Sequence, residues 1–296
     1  MKALLRTLII AAGLAVTGCV GDDAPAPPAD GTTFGAGSGV VTYAGYAPLA
    51  SRPIRIYYHI PAAGNMRTMP VLLVFPGIER NAADYLAAWK KAADRKHIMV
   101  FAFEFPADTY KSSQYIEGGM FSGNRLLERK DWTFAVVEAV FDKIKSDTGS
   151  GAVAYDMWGH SAGAQFVHRY VTFMPEARVN CAVAANAGWY TVPDMATEFP
   201  YGLKGTDMTV AWVNRLFGRK LWVQLGTADI GTGNLNTTPG ANAQGATRYA
   251  RGKYYFAEAQ RISRENGVAL AWSLDEVGGV GHDYVKMAEY AAGTLY

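Results

Sequence analysis

The sequence predicts an α/β fold in which helices cover both faces of a mostly parallel β-sheet. Short apolar runs of strand length, such as VLLVF at residues 71–75, alternate along the chain with segments whose apolar residues recur at helical spacing. Such runs are typical of strands buried on both faces of a sheet, and their alternation with helices is typical of βαβ units. The chain has 296 residues, of which 50% are hydrophobic. It is therefore long enough to bury a large core in a single domain.

The chain begins with a predicted export signal. Lys2 and Arg6 precede an apolar run that is too short to span a membrane. The run ends in Val-Thr-Gly-Cys at residues 16–19, which resembles the lipobox of bacterial lipoproteins. This resemblance implies that residues 1–18 form a lipoprotein signal peptide and that Cys19 is diacylated and becomes the mature N-terminus. An ordinary secretory signal that contains a cysteine by chance is the alternative.

The segment after the signal predicts a flexible tether. Residues 19–38 are rich in Ala, Pro, Gly and Asp and poor in bulky apolar side chains, so they cannot bury enough surface to offset the entropy of ordering. We expect residues 39–296 to form one folded domain. Because two acyl chains anchor a protein stably, we also expect it to be attached to the bacterial cell envelope through Cys19. Val20 is not the aspartate that retains lipoproteins at some inner membranes, which favours the outer membrane or the cell surface.

The predicted elements follow one another in the order of βαβ units. Residues 52–61 alternate between apolar and polar and predict an early edge strand, while residues 70–77 and 97–106 predict buried strands on either side of a helix at 81–96. Cys181 lies in a later apolar run and is predicted to be a small buried hydrophobe. The later elements are helices at 131–149, 164–174 and 249–266 and strands at 152–159, 179–188, 220–226 and 269–277.

A serine stands between two glycines where the strand at 152–159 gives way to a helix. The sequence there is Gly-His-Ser-Ala-Gly, residues 159–163. In this strand-to-helix context the GxSxG pattern forms a nucleophile elbow, a strained turn in which side chains at the glycine positions would collide with neighbouring elements. We therefore predict that Ser161 is a nucleophile.

The elbow, the PVLLVFPG strand before it and the strand order resemble the α/β-hydrolase superfamily. The segments RPIRIYYHIP, FPG and NAGWY are similar to secreted polyester (PHB) depolymerases and feruloyl-esterase-like hydrolases. The resemblance covers most of the chain after the tether. It implies an α/β-hydrolase fold with a mostly parallel sheet of about eight strands, serine esterase activity, and an acid and a histidine that each follow a later strand.

His282 is the predicted general base. It follows the last predicted strand in the segment VGGVGHDY, whose glycines let the loop bend back toward Ser161. The other four histidines precede the serine, lie inside the elbow or ride on the next helix, and we predict structural roles for His59, His97, His160 and His168.

Asp229 is the predicted acid because it follows the strand at 220–226. A simple turn aspartate is the alternative for this residue. Asp275, Glu276 and Asp283 are nearer to His282 in sequence. Asp283, however, is adjacent to the histidine and cannot easily fold back onto its ring, and the other two lie at the final strand.

These groups predict acyl transfer. A serine hydroxyl is a weak nucleophile near neutral pH, so His282 would take its proton while Asp229 holds the ring in the required tautomer. The developing oxyanion needs fixed donors. The backbone N–H of Ala162, directly after the nucleophile, is one expected donor, and the resemblance implies that of Ile78, after the Pro-Gly turn, as the second.

The segment that would cover this site is short. Residues 189–219 lie where superfamily members place a cap, but Pro and Gly interrupt them, so we expect a minimal cap. The polar loop at 230–245 is expected to shape the cleft or bind a cation, although it lacks the carboxylates of a dense metal site, and we predict no metal and no cofactor. We expect an open cleft whose aromatic walls come from Tyr110, Tyr115, Phe121, Trp189 and Tyr190.

Charge argues against a nucleic-acid partner, because the net charge is +2 and the basic residues are scattered. The predicted function is a serine esterase that acts on a polyester or on small aryl or acyl esters. A serine peptidase of the same fold and a non-catalytic surface lipoprotein that binds a ligand are the alternatives. The peptidases usually carry a propeller or a large cap, for which this chain has no room.

Overall fold

The structure is a computed structural model that describes residues 30–296. Its strands are β1 (Asp30–Gly31), β2 (Gly37–Tyr43), β3 (Ile54–Ile60), β4 (Val71–Phe75), β5 (Met99–Glu104), β6 (Phe121–Ser122), β7 (Arg125–Leu126), β8 (Tyr155–His160), β9 (Val179–Ala185), β10 (Leu221–Gly226) and β11 (Ser273–Val277). Its α-helices are α1 (Ala82–Lys96), α2 (Ser112–Ile116), α3 (Val136–Thr148), α4 (Ala162–Phe173), α5 (Val210–Phe217), α6 (Pro239–Ala243), α7 (Arg248–Glu265) and α8 (Tyr284–Leu295).

The main sheet confirms the predicted α/β-hydrolase architecture. Its nine strands lie in the order β1-β2-β3-β5-β4-β8-β9-β10-β11, and β6 and β7 form a separate hairpin. From β5 through β4 to β11 all neighbours are parallel, whereas β3 runs antiparallel to both β2 and β5. The ninth strand is the two-residue β1, which pairs with Val40 and Val41 of β2.

The predicted tether ends earlier than residue 38. Phe34 is 3% exposed, and its ring packs edge-on against Tyr58 and Phe101 at centroid distances of 5.3 and 5.0 Å. The side chain of Phe34 thus packs against the sheet, although the segment around it is polar. The domain boundary predicted at residue 39 is wrong, because residues 30–38 belong to the folded domain. The signal peptide at 1–18, the predicted lipid site Cys19 and the tether up to residue 29 lie outside the described residues.

Two apolar layers sandwich the sheet and explain the continuous apolar runs. In β4, Leu72 and Val74 face a core shared with α1 and α8, while Leu73 and Phe75 face the core formed with α3, α4 and α7. Because both faces are covered, every residue of β4 is buried. Cys181 on β9 is buried as predicted, and burial raises the pKa of its thiol to about 12.

The parallel direction of the central strands decides where the site can be. The chain leaves β4, β8, β10 and β11 at the same edge of the sheet, and the turns after these strands carry the predicted oxyanion, nucleophile, acid and base residues. Within residues 30–296 we find no helix that combines the length and the apolar character needed to cross a membrane.

Candidate active site

Ser161 occupies a strained turn between β8 and α4. Its φ and ψ are 57° and −115°, a conformation that a non-glycine residue adopts only where its surroundings enforce it. A Cβ at Gly159 would lie 2.2 Å from the carbonyl oxygen of Gly163, and a Cβ at Gly163 would lie 1.9 Å from that of Phe75. Both glycines of the elbow are therefore required by contacts with neighbouring backbone.

The structure brings together the three residues predicted for catalysis. The Ser161 Oγ lies 3.0 Å from His282 Nε2, and His282 Nδ1 lies 2.7 Å from Asp229 Oδ2. The Asp229 side chain is 2% exposed, whereas that of His282 is 33% exposed at the cavity. With Nδ1 donating to the carboxylate, Nε2 is left free to accept the serine proton.

The competing carboxylates have other partners or positions. Glu276 accepts hydrogen bonds from Tyr249 and Lys253. Asp283 accepts the N–H groups of Val285 and Lys286 and so caps α8. Asp275 lies within β11, paired with Gln224 of β10. The carboxylate that reaches the imidazole is that of Asp229, although it lies 53 residues away in sequence.

Asn186 connects the acid and base loops, and sequence reasoning did not identify it. This fully buried residue directly follows β9 and has a φ of 50°. Its side-chain Oδ1 accepts the N–H of Gly226 at 2.8 Å, and its Nδ2 donates to the carbonyl of Gly281 at 3.2 Å. One carboxamide thus ties the start of the Asp229 turn to the residue before His282. A polar residue at the end of an apolar strand was the signal available in the sequence.

The two predicted oxyanion donors flank the serine. Ala162 is the first residue of α4, so its N–H has no acceptor one turn earlier in the helix. The turn that contains Ile78 passes close to the nucleophile, because a Cβ at Gly77 would lie 3.7 Å from that of Ser161. Ile78 and Ala162 both line the cavity beside the serine.

Arg80 and Tyr115 form hydrogen bonds with the backbone of the turn that contains Ile78. The Arg80 guanidinium donates to the carbonyl of Ile78 at 3.0 Å and lies 3.9 Å from the ring centroid of Tyr115. The Tyr115 hydroxyl donates to the carbonyl of Pro76 at 2.7 Å. These two hydrogen bonds hold the backbone of the turn on both sides of Gly77.

The ring of His160 packs against that of His282. Its centroid is 4.5 Å from that of His282, and its Nδ1 is hydrogen-bonded to the Tyr85 hydroxyl at 3.0 Å. Burial lowers the pKa of His160 well below its usual value, so this ring is neutral near pH 7. His59, His97 and His168 contact other parts of the protein.

A cavity of about 630 Å³ opens above the serine, within the usual range for a small-molecule site. Of the five aromatic residues predicted to line it, Trp189 does so. The expectation is wrong for the other four, three of which gain more by complete burial than they would in an open cleft. Tyr110, Tyr115 and Tyr190 are fully buried in the core, and Phe121 stacks on Phe199.

The polar loop at 230–245 forms part of the cavity wall, as expected. Its residues Asn234, Leu235 and Asn236 line the cavity together with Gln165 and Arg248. Among the residues described, no group of three or more His, Cys, Asp or Glu side chains is placed to hold a metal ion. Residues 189–219 contribute a single short α-helix, α5, whose Trp212 donates to the carbonyl of Thr172 on α4.

Neither a family model nor a curated protein sequence matches the chain, but solved structures do. Poly(aspartic acid) hydrolase-1 from Sphingomonas sp. KT-1 is 35% identical, with a TM-score of 0.85 over 88% of this chain and 98% of the other. LpqC, a poly(3-hydroxybutyrate) depolymerase from Bordetella parapertussis, is 33% identical, with a TM-score of 0.85 over 88% and 90% of the two chains. An S-formylglutathione hydrolase from Agrobacterium tumefaciens shares the fold at 14% identity, with a TM-score of 0.57 over 89% and 95%.

Proposed function

This chain belongs to the α/β-hydrolase family that contains the two polymer hydrolases described above, and we propose that it cleaves carboxylic esters through a catalytic triad of Ser161, His282 and Asp229. The observation that carries the proposal is the continuous series of hydrogen-bond distances, 3.0 Å from Ser161 to His282 and 2.7 Å from His282 to Asp229. A binding protein has no need for a strained serine in line with an imidazole and a buried carboxylate.

The proposed reaction has two halves. In the first, Ser161 Oγ attacks the ester carbonyl carbon while its proton passes to His282 Nε2, and the same proton then leaves with the alcohol. In the second, a water molecule gives a proton to His282, attacks the acyl-enzyme and releases the acid, and the serine recovers its proton. The N–H groups of Ala162 and Ile78 stabilise the oxyanion in both halves, and each such donor typically lowers the barrier by about 3 kcal/mol.

We propose a polyester or an aryl or acyl ester as the substrate class. The cavity is wide and mixed in character, with Ile78, Ile116 and Trp189 beside the polar side chains of Gln165 and Asn236. Such a lining suits a chain in which carbonyl groups alternate with short apolar units. The 33% identical relative is named for depolymerising poly(3-hydroxybutyrate), which is a polymer of this kind.

An amide polymer is the second candidate substrate. The 35% identical relative is named as a hydrolase of poly(aspartic acid), a polyamide, and a Ser-His-Asp triad can cleave amides as well as esters. Parallel assays on poly(3-hydroxybutyrate) and poly(aspartic acid), with short p-nitrophenyl esters and matched anilides, separate the two candidates. Release of soluble product from the polyester alone supports the esterase, and release from the polyamide alone rejects it.

The nucleophile is tested by labelling. We expect a fluorophosphonate probe to modify the wild-type protein and p-nitrophenyl butyrate to be hydrolysed, whereas Ser161→Ala should lose both while its melting temperature stays within a few degrees. Ser122→Ala, an exposed serine on β6, is the matched control and should behave as wild type. Turnover that survives in Ser161→Ala contradicts the proposed triad.

We further propose that Cys19 carries a lipid that attaches the enzyme to the cell envelope. The support is the sequence at residues 16–19 and the Ala/Pro-rich stretch that follows it. Metabolic labelling with a radioactive fatty acid should mark the wild-type protein in a bacterial host. Cys19→Ala should lose the label and appear in the soluble fraction, and equal fractionation of the two proteins would contradict the anchor.

A further inference from the structure

Arg248 is a buried cation that lies between the acid of the triad and the cavity wall. It is the first residue of α7, its side chain is 7% exposed, and it lines the cavity. Its Nη1 lies 3.6 Å from Asp229 Oδ1, the carboxylate oxygen that His282 does not use. The two oxygens of Asp229 therefore face two different partners.

Arg248 supplies the compensating charge for a buried carboxylate. Within residues 30–296 no other Lys or Arg side chain comes within 4.0 Å of Asp229. An ionised carboxylate that is 2% exposed is costly unless a cation or hydrogen bonds offset its lost hydration, and the imidazole of His282 is neutral before the reaction. The guanidinium is thus the permanent positive charge next to this acid.

Apart from Arg251, a second guanidinium near Arg248 on α7, the ionisable groups around the pair do not supply a positive charge. Burial lowers the pKa of His160, whose ring packs against that of His282, and raises the pKa of Tyr190, so both are neutral near pH 7. Tyr85 and Tyr284, packed on the same side, also have raised pKa values because they are buried. The two acidic neighbours are Glu79, exposed on the cavity rim, and Asp283, which caps α8.

The same guanidinium also holds the loop that walls the cavity. Its Nη2 donates to the carbonyl of Gly233 at 3.0 Å and to that of Asn234 at 3.4 Å. Residues 234–236 line the cavity, so one side chain contacts both the substrate wall and the triad.

We infer that Arg248 is a positioning residue for catalysis, which offsets the charge of the buried Asp229 carboxylate and orients it toward His282 while fixing the adjacent wall. The inference rests on the proposed triad. The permanent charge of the guanidinium disfavours the binding of any further proton in the site. Removing the charge should therefore make the enzyme lose activity at a higher pH.

Arg251 provides a matched comparison on the same helix. It lies three residues later, is 1% exposed, and donates from Nη2 to the carbonyl of Asn236 at 2.9 Å and from Nη1 to that of Gly188 at 2.7 Å. It thus holds the same loop, but none of its hydrogen bonds or ion pairs within the described residues involves Asp229.

The experiment compares the pH dependence of kcat/KM for p-nitrophenyl butyrate hydrolysis in Arg248→Gln, Arg248→Lys and Arg251→Gln. We expect the acidic limb to move up by about one pH unit in Arg248→Gln, the lower end of the effect of an adjacent charge, with a kcat loss of about tenfold. Arg248→Lys keeps the charge and should keep the position of the limb. Arg251→Gln should raise KM and leave the limb where it is in wild type.

An acidic limb in Arg248→Gln that coincides with that of the wild type overturns the inference, and so does an equal shift in Arg251→Gln. If Arg248→Gln does not fold, the double variant Arg248→Gln/Asp229→Asn removes the uncompensated charge as well and should fold with a higher melting temperature. A double variant that is no more stable than Arg248→Gln also overturns the inference. A wild-type protein with neither ester turnover nor fluorophosphonate labelling indicates instead that the proposed function has failed.

Discussion

Replacement of Asn186 by Gly and by Ala tests how the tertiary structure positions His282, the proposed general base. Asn186→Gly removes the hydrogen bonds to the N–H of Gly226 and the carbonyl of Gly281, at 2.8 and 3.2 Å, but leaves the backbone free to keep its φ of 50°. Each buried group left without a partner costs about 1–3 kcal/mol. Because the Gly281 carbonyl is only partly buried, we expect the free energy of unfolding to fall by roughly 2–4 kcal/mol.

Asn186→Ala loses the same two bonds and adds backbone strain. A residue with a Cβ at positive φ costs about 1 kcal/mol more than glycine, so Ala should be less stable than Gly at this position by that amount. Urea unfolding of the two variants and the wild type measures both the loss of the hydrogen bonds and the added backbone strain.

The kinetic consequence distinguishes positioning from general stability. With Asn186 gone, the loop that carries His282 keeps the bond from the N–H of Ala228 to the carbonyl of Val280 but loses the carboxamide that holds Gly281. A misplacement of about 1 Å can cost on the order of 100-fold in rate. We expect kcat on p-nitrophenyl butyrate to fall by about 10- to 100-fold at a temperature where both variants are folded, with KM nearly unchanged. A destabilised Asn186→Gly that retains the wild-type kcat would refute this reasoning.

Three further predictions follow from individual contacts. Gly163→Ala places a Cβ 1.9 Å from the carbonyl oxygen of Phe75. We therefore expect the free energy of unfolding in urea to fall by roughly 1–3 kcal/mol and fluorophosphonate labelling to be lost. A variant that keeps both would contradict the elbow geometry. Phe34→Ala should lower the free energy of unfolding by about 3 kcal/mol and the melting temperature by roughly 6–12 °C. Removal of residues 1–38 should destabilise the protein at least as much, whereas removal of residues 1–29 should have little effect. Equal melting temperatures for the two truncated proteins would support a domain boundary near residue 39. Burial lowers the pKa of His168 well below its ordinary 6.5. Below pH 6.5 the unfolded chain therefore binds a proton that the folded protein does not. The free energy of unfolding should then fall by about 1.4 kcal/mol for each pH unit below 6.5 until the native pKa is reached. Above pH 6.5 this contribution of His168 is absent. In His168→Gln the fall below pH 6.5 should be smaller by about 1.4 kcal/mol per pH unit. Identical pH profiles of stability in the two proteins would argue against a neutral buried His168.

Local sequence pattern was sufficient for the parts of the site that depend on neighbours in the chain. The elbow at 159–163 could be predicted because a strand, a tight turn and a helix leave their marks in consecutive residues, and the two glycines are required by contacts within that unit. The buried strands could be predicted because covering both faces of β4 demands an unbroken apolar run.

Position after a strand was sufficient to select Asp229 and His282, but not to show their contact. Parallel strands deliver the residues after them to one edge of the sheet, which narrows the candidates from the whole chain to a few loops. The distances between those loops depend on strand order and register, and these are properties of the assembled sheet.

The sequence by itself determined the fold class, the position of the GxSxG elbow and the order in which the candidate acid and base follow it, because these depend on periodicity and on short-range backbone geometry. Only the tertiary structure decided that Phe34 belongs to the folded domain and that Tyr110, Tyr115 and Tyr190 fill the core. It alone also placed Asn186 between the turns that carry Asp229 and His282, and Arg248 beside Asp229. These assignments depend on which side chains meet across the sheet, and such long-range packing and charge compensation leave no periodic pattern in the chain.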